Sequence, residues 1–413
     1  MTGDLTNLQV GYGSATGSNS LAVGREAAQQ AVRGLKDSPP VVVLVFASVH
    51  YDLEEMLRGI HAVVGDAPVL GATTAGEICN GPQQESVVVV ALASPYLQVR
   101  VGVGQKVSQD WQQAVVQAVS TPTVAPFFSP QDNNIWTGLT LQGKSAFGLL
   151  FSPGNTKTTD SRSFEILEEL KRLSLGRIPF VGGGTADDWR LEANYVLWGR
   201  KAYPDSVLVA VFETQLRFGI ALAHGFHPTS RKAMVTRGND HEVLELDGQP
   251  AAELYSRLQG TTREALAGKH LTLTTGRPMG VPVGFGEYSL NAASFFTANG
   301  GVRFPQPVAA GTVLTVMEGE IDDLVAAGAE AFHKALTRGA INDPALALFF
   351  PCALRPPLLG DRRQEEISGI RNLVPGVPVA GFYSFGEQGL FDDGQIRHNN
   401  EVVTVLALGR QLS

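Results

Sequence analysis

The 413-residue sequence is poor in cysteine, in charge and in long apolar runs. Only Cys79 and Cys352 occur, with no C-x-x-C spacing, which excludes a disulfide framework or a cysteine zinc site and predicts a thiol-reduced, cytoplasmic protein. Charged residues make up 17%, below the ~25% of an average soluble chain. The balance of 32 basic against 40 acidic residues leaves −8, with no Lys/Arg cluster to track a phosphate backbone, so neither nucleic acid nor an anionic membrane is an expected partner. The most apolar windows, 41–47 and 87–93, have strand length, far short of the ~20 residues that span a bilayer. No basic flank precedes an apolar core near the N-terminus, so no secretory signal is read. The eight histidines form no H-E-x-x-H or H-x-x-x-H pair.

What the chain has in plenty is glycine, 46 residues without a collagen period, and an apolar content of 44% that rules out global disorder. It also has a repeat. Residues 68–77 (PVLGATTAGE), 179–188 (PFVGGGTADD) and 378–387 (PVAGFYSFGE) all fit P-x-x-G-x-x-[ST]-x-x-[DE]. An apolar strand precedes each copy (from 41, 146 and 345) and another follows (from 86, 206 and 401). Between first strand and motif lies a helical pattern. In the first copy Leu53, Met56, Leu57, Ile60 and Val64 share a face, with Asp52 and Glu55 as a capping pair.

Each unit therefore reads strand, helix, strand, turn, strand. The expected fold class is α+β, with layered mixed and antiparallel sheets under covering helices. Two domains are expected, 1–217 holding two units and 218–413 holding one. Residues 120–145 read as an insertion loop, and 244–260 as a strand, an Asp247-Gly248 turn and a helix opening the second domain.

The motif core brings a hydroxyl and a carboxylate near a glycine whose backbone can approach a solute. The candidate ligand-binding residues are Gly71, Thr73, Thr74, Gly76 and Glu77; Gly182, Thr185 and Asp188; and Gly381, Ser384, Gly386 and Glu387, with Asn400 near the last strand. A carboxylate among them would meet an ammonium group, and glycine N–H groups and hydroxyls a carboxylate. The competing reading is that the same pattern is corner and cap chemistry, kept because three similar units need the same turn. Enzyme signatures miss: Gly381–Gly386 is one residue off a nucleophile elbow, and the glycines at 11–17 are misplaced for a dinucleotide fingerprint. A binding protein rather than an enzyme is expected, with a hydrolase-like use of Ser384 or a neighbouring carboxylate as the alternative.

The ordered set PVLGATTAGEI after VVVLVFAS and DLEEMLRGI, then ELDGQPAAELY, PVAGFYSFGEQG and HNNEVVTVLALG, resembles the FIST-domain family over nearly the whole chain. The resemblance implies a sensory module of signal transduction that binds small ligands such as amino acids. It also implies, from relatives that bind haem, a nitric-oxide sensor working through a histidine kinase. With no kinase or cyclase segment in the sequence, the expected partner is a separate protein such as a histidine kinase or a cyclic-di-nucleotide enzyme. For haem, the axial ligand expected is His224, with Gly225 leaving room for the ring, and His398 as the second choice. The family's commoner Cys is replaced here by Ala72.

Overall fold

The computed structural model describes residues 7–36, 38–129, 134–269 and 273–413. The first unit runs β1 (Gln9–Ala15), α1 (Ser20–Arg33), β2 (Val42–Ala47), α2 (Leu53–Val64), β3 (Val69–Thr73), the hairpin β4 (Glu77–Cys79) and β5 (Pro82–Gln83), and β6 (Val87–Ala93). The second is β7 (Leu97–Gln105), α3 (Trp111–Val119), α4 (Asn134–Leu141), β8 (Ser145–Pro153), α5 (Ser163–Leu173), β9 (Phe180–Thr185), the hairpin β10 (Tyr195–Trp198) and β11 (Lys201–Pro204), and β12 (Ser206–Thr214). The third opens with β13 (Leu216–Ala223). An inserted sheet follows: β14 (His227–Asn239), β15 (Glu242–Leu246), β16 (Gln249–Pro250), β17 (Met279–Gly284), β18 (Glu287–Asn291), β19 (Phe295–Phe296), β20 (Val302–Arg303) and β21 (Val313–Glu318), with α6 (Ala251–Leu258) and α7 (Arg263–Leu266). The unit then resumes with α8 (Ile321–Arg338), β22 (Pro344–Pro351), α9 (Arg355–Leu359), α10 (Arg363–Leu373), β23 (Val379–Phe382), the hairpin β24 (Glu387–Leu390) and β25 (Ile396–Asn399), and β26 (Val403–Leu412). The fold is α+β with layered, mixed sheets.

Each unit thus carries a leading strand and helix beyond the strand, helix, strand, turn, strand pattern read from the repeat. Gly11 and Gly13 lie within β1 because α1 packs hard on it; a Cβ at Gly11 would stand 1.7 Å from the Ala31 carbonyl oxygen. The predicted cap on α2 is present, Asp52 accepting the Glu55 N–H at 3.0 Å. Residues 120–145 are not an open loop: a 3-10 turn at Ala125–Phe128 and α4 stand there, with Phe127 and Phe128 buried over the second sheet.

Three six-stranded sheets result, ordered β1-β6-β2-β3-β10-β11, β25-β24-β9-β8-β12-β7 and β13-β26-β22-β23-β4-β5. Each takes four strands from one unit and a hairpin from another, so the first unit's hairpin completes the third sheet, the second's the first, and the third's the second. The expected division at 217/218 falls inside β13, and two of the three hairpins cross it. The strand and helix at 244–260 belong to the inserted sheet.

Along β2 the pleat sends Leu44 and Phe46 to a core common to the three sheets, and Val43, Val45 and Ala47 to a separate one under α1 and α2. The other two sheets repeat this under α3 with α5 and under α8 with α10. At the middle, Phe46, Phe151 and Phe350 occupy matching registers and meet edge to face in a triangle, with ring centres 6.2, 6.1 and 6.3 Å apart. The molecule is a three-sided prism with approximate threefold symmetry, and the motif turns lie together at one end.

Candidate functional site

The repeated positions are explained first by packing. Pro68, Pro179 and Pro378 offer their carbonyls to Val43, Gly148 and Ala347 at the start of the parallel pairing. Gly71, Gly182 and Gly381 lie against the neighbouring strand, where a Cβ would sit 1.7, 2.2 and 1.8 Å from the carbonyl oxygens of Val45, Leu150 and Phe349. Any side chain there would force the parallel strands apart.

The three turns then bind one another through the backbone. Ala75 donates to Tyr383 O (3.0 Å) and Tyr383 to Gly76 O (2.9 Å); Phe385 donates to Gly184 O (3.0 Å) and Gly184 to Gly386 O (2.8 Å); Ala186 donates to Thr73 O (2.9 Å). A closed ring of main-chain bonds thus caps the prism. Inside it the hydroxyl–acid pairs are buried. Thr74 donates to Glu77, whose other oxygen accepts the Ser86 N–H (3.0 Å) and hydroxyl (2.7 Å). Desolvation raises the Glu77 carboxyl to about 7 against these stabilising bonds. Ser384 donates to Glu387 at 2.8 Å, and burial holds that carboxyl well above its ordinary value, with the Cys352 thiol as a further partner.

The second copy departs from the pattern. Thr185 bonds Asn194 (2.6 Å), while Asp188 accepts from Ser48 across the ring (2.6 Å), and Asp187 caps the chain at Leu191, Glu192 and Ala193. Thr73 is spent on Tyr195, accepting its N–H at 2.8 Å. Gly386 is packed on the His398 ring, and Asn400 lies near the inserted sheet, its N–H on Leu290 O (3.2 Å). The motif residues are therefore mainly corner chemistry.

Beside the ring lies a cleft of about 810 Å³. Of the residues singled out from sequence, Gly76 lines it; the rest of its wall comes from Ala75, Pro82, Gln83 and Gln84 of the first unit, Trp189 of the second, and Leu354, Pro356, Pro357, Leu358, Arg363 and Tyr383 of the third, with Thr275 of the insertion. Gly76 has φ 125°, a conformation that favours glycine, and its bare Cα lets the Tyr383 ring lie close. The Tyr383 hydroxyl is buried and bonds no described group, and the Arg363 guanidinium makes no hydrogen bond or ion pair with a described residue. Burial, with the Glu366 carboxylate next in size, pushes the Tyr383 phenol up, so it stands as a neutral donor.

Trp189 sits at φ 63° after Asp188 at 53°, a strained pair for side chains of this size, and its ring leans on Phe385 with centres 5.1 Å apart. The segment that carries Leu354 and the two prolines is pinned from behind by Arg355, fully buried. Arg355 bonds Glu366 (2.8 and 2.6 Å) and the carbonyls of His224, Leu324 and Glu401.

Neither expected haem ligand lies on this cleft. His224 accepts the Phe226 N–H on Nδ1, and desolvation, then Arg355 and Lys334, push its imidazole down to about 3. Gly225 leaves no slot for a ring, since a Cβ there would stand 2.3 Å from Asp323 O. His398 is buried behind Gly386, whose Cβ would lie 2.4 Å from Cε1, and burial lowers it to about 4. Among the described residues no group of three His, Cys, Asp or Glu could hold a metal ion, and no described helix is long and apolar enough to cross a membrane.

The repeated units close their own corners and keep a lined cleft beside them. The chain belongs to the FIST family: the FIST N domain matches residues 41–249 and the FIST C domain residues 251–390. Domains of this family are small-ligand sensory domains of signal transduction, sensory rather than catalytic. An uncharacterized protein of Methanocaldococcus jannaschii is 34% identical over 91 residues, 22% of this chain; the match spans only 17% of that relative's length. Among solved structures, cyanuric acid hydrolase from A. caulinodans is 10% identical, over 51% of this chain and 72% of that one, with a TM-score of 0.26. Phosphoribosylformylglycinamidine synthase II from Thermotoga maritima is also 10% identical, over 97% and 72%, with a TM-score of 0.22. At these scores neither likeness bears on what this chain does.

Trp189, Arg363 and Tyr383 were not foreseen. Tyr383 stands one residue before the third motif's serine and Trp189 one after the second motif's acid, so proximity to the turns was the available signal. Arg363 had none.

Proposed function

We propose that this protein senses a small molecule bound in the cleft beside the ring of turns, with Trp189, Arg363 and Tyr383 as its contacts. The observation that carries this reading is the cleft itself, about 810 Å³ with Trp189, Arg363 and Tyr383 on its wall beside the ring of turns. The volume falls in the usual range of small-molecule sites, about 300–1,000 Å³. Strain at Trp189 is of the kind held in place where a side chain must face a ligand.

The turns are the natural relay. Ala75, Gly76 and Tyr383 belong at once to the cleft wall and to the backbone ring joining all three units, so occupancy at one corner reaches the other two. Output then passes to a separate signalling protein, a histidine kinase or a cyclic-di-nucleotide enzyme being the partner the family suggests. Catalysis by Ser384 is disfavoured, because its hydroxyl is buried and committed to Glu387.

A melting-temperature screen of metabolites on the wild type and on Ala75→Trp, which fills the cleft, tests the reading. Stabilising compounds should lose their effect in the variant. Compounds that stabilise both proteins equally would place the site elsewhere.

A further inference from the structure

We propose that the ligand of this cleft is an amine-free organic acid: a carboxylate on an aromatic or branched apolar body, rather than a zwitterionic amino acid. The proposal rests on the cleft being the ligand site and goes beyond it by naming the chemical class.

Charge sets the class. Among the described residues that line the cleft, Arg363 carries charge and no Asp or Glu is present. Its guanidinium has no carboxylate partner among the described residues, so a planar anion can take its donor fork in two parallel bonds. Three carboxylates behind the wall are already engaged: Glu77 holds Thr74 and Ser86 behind Ala75 and Gly76, Glu366 is tied to Arg355, and Asp188 takes the Ser48 hydroxyl; Glu85, next to Gln84, is exposed and does not line the cleft.

An ammonium group entering here would meet a like charge and neutral acceptors only, the amides of Gln83 and Gln84. The body of the ligand has a different setting. Trp189 on one side and Leu354, Pro356, Pro357 and Leu358 on the other offer an aromatic face and a rigid aliphatic one, which suits a flat or branched apolar group.

Titration calorimetry of the full chain with hydrocinnamate, phenylalanine and phenethylamine separates the classes, because the three share one apolar body and differ in charge. Hydrocinnamate should bind, phenylalanine about tenfold or more weaker, and phenethylamine not measurably; Arg363→Met should weaken the acid by about tenfold or more. Circular dichroism of the variant confirms the fold. Binding of phenylalanine or phenethylamine as tight as the acid, lost in Ala75→Trp, would overturn the acid class and leave the cleft reading standing. Acid binding unchanged in folded Arg363→Met would overturn the anchor. If none of the three binds, the proposal falls, and the metabolite screen on Ala75→Trp decides separately whether the cleft survives as a site.

Discussion

Two junctions between units share one plan and differ in use. Where the third unit's segment after β22 faces the first unit's turn, Leu354, Pro356, Pro357 and Leu358 stand off and leave about 810 Å³. At the matching place after β8, Asn155, Asp160, Ser161 and Arg162 face His241, Arg303 and Phe304 of the inserted sheet, and about 20 Å³ remains, room for one water. There His241 bonds Glu165 (3.2 Å) and Arg303 bonds Asp160 (2.8 Å), sealing the insertion onto the second unit. The repeated motif builds the corner at both places. What separates them is the non-repeated segment between strand and helix, and whether the insertion covers it.

The largest effect is expected where the comparison vanishes, at the shared centre. Phe350→Ala should cost about 4 kcal/mol by opening a cavity among three sheets, seen in denaturant melts as a loss across the whole chain. Separate melting of residues 216–413 with the earlier units intact would break the picture of one common core.

Next comes the wall of the open junction. Arg355→Met should cost about 3 kcal/mol, because Glu366 is left buried without its cation, and adding Glu366→Gln should recover part of it. A variant as stable as the wild type would show that the segment needs no such clamp.

The acid–hydroxyl pairs differ in a way pH can read. Glu77 titrates near 7 in the folded chain against an ordinary 4.5, so the folded state holds more protons between those values. Its contribution to stability therefore falls as pH rises from about 4.5 to about 7 and stays level above, by the order of 3 kcal/mol in total. Glu77→Gln should remove that decline. The second unit uses Asn194 at the same corner, so Asn194→Ser should leave the pH profile unchanged.

The smallest effect belongs to the sealed junction. His241 is raised, chiefly by its bond to Glu165, so its contribution is present below about 6.5 and lost as pH climbs through the folded value; Glu165, lowered by that bond and by Arg162 against its desolvation, contributes above 4.5 and loses this in acid. His241→Gln should cost less than about 1 kcal/mol near pH ~6, and less still in base. An equal loss at both pH values would mean the contact is packing alone.

Much of the prism was legible because continuous apolar strands, an amphipathic α2 and three copies of one turn are local signals. The exchange of hairpins was not, since β4 pairing with β23 joins residues about three hundred apart and no local pattern records it. The leading strands were not joined to the repeat for a physical reason: Gly11 and Gly13 make way for α1, and glycine breaks the apolar run that marks the other strands. The site was hidden for the same reason as the exchange. Trp189, Arg363 and Tyr383 come from two units and touch one cleft only because the turns interlock, and the residues that do repeat, Gly71, Gly182 and Gly381 above all, repeat for packing.

The central claim is that the open junction holds a ligand and its sealed counterpart does not. A crystal of the full chain soaked with bromobenzoate tests it through the anomalous signal of bromine. One bromine site is expected between Trp189 and Leu358, with the carboxylate on Arg363. Bromine at the His241 junction, or elsewhere with the cleft empty, would contradict it.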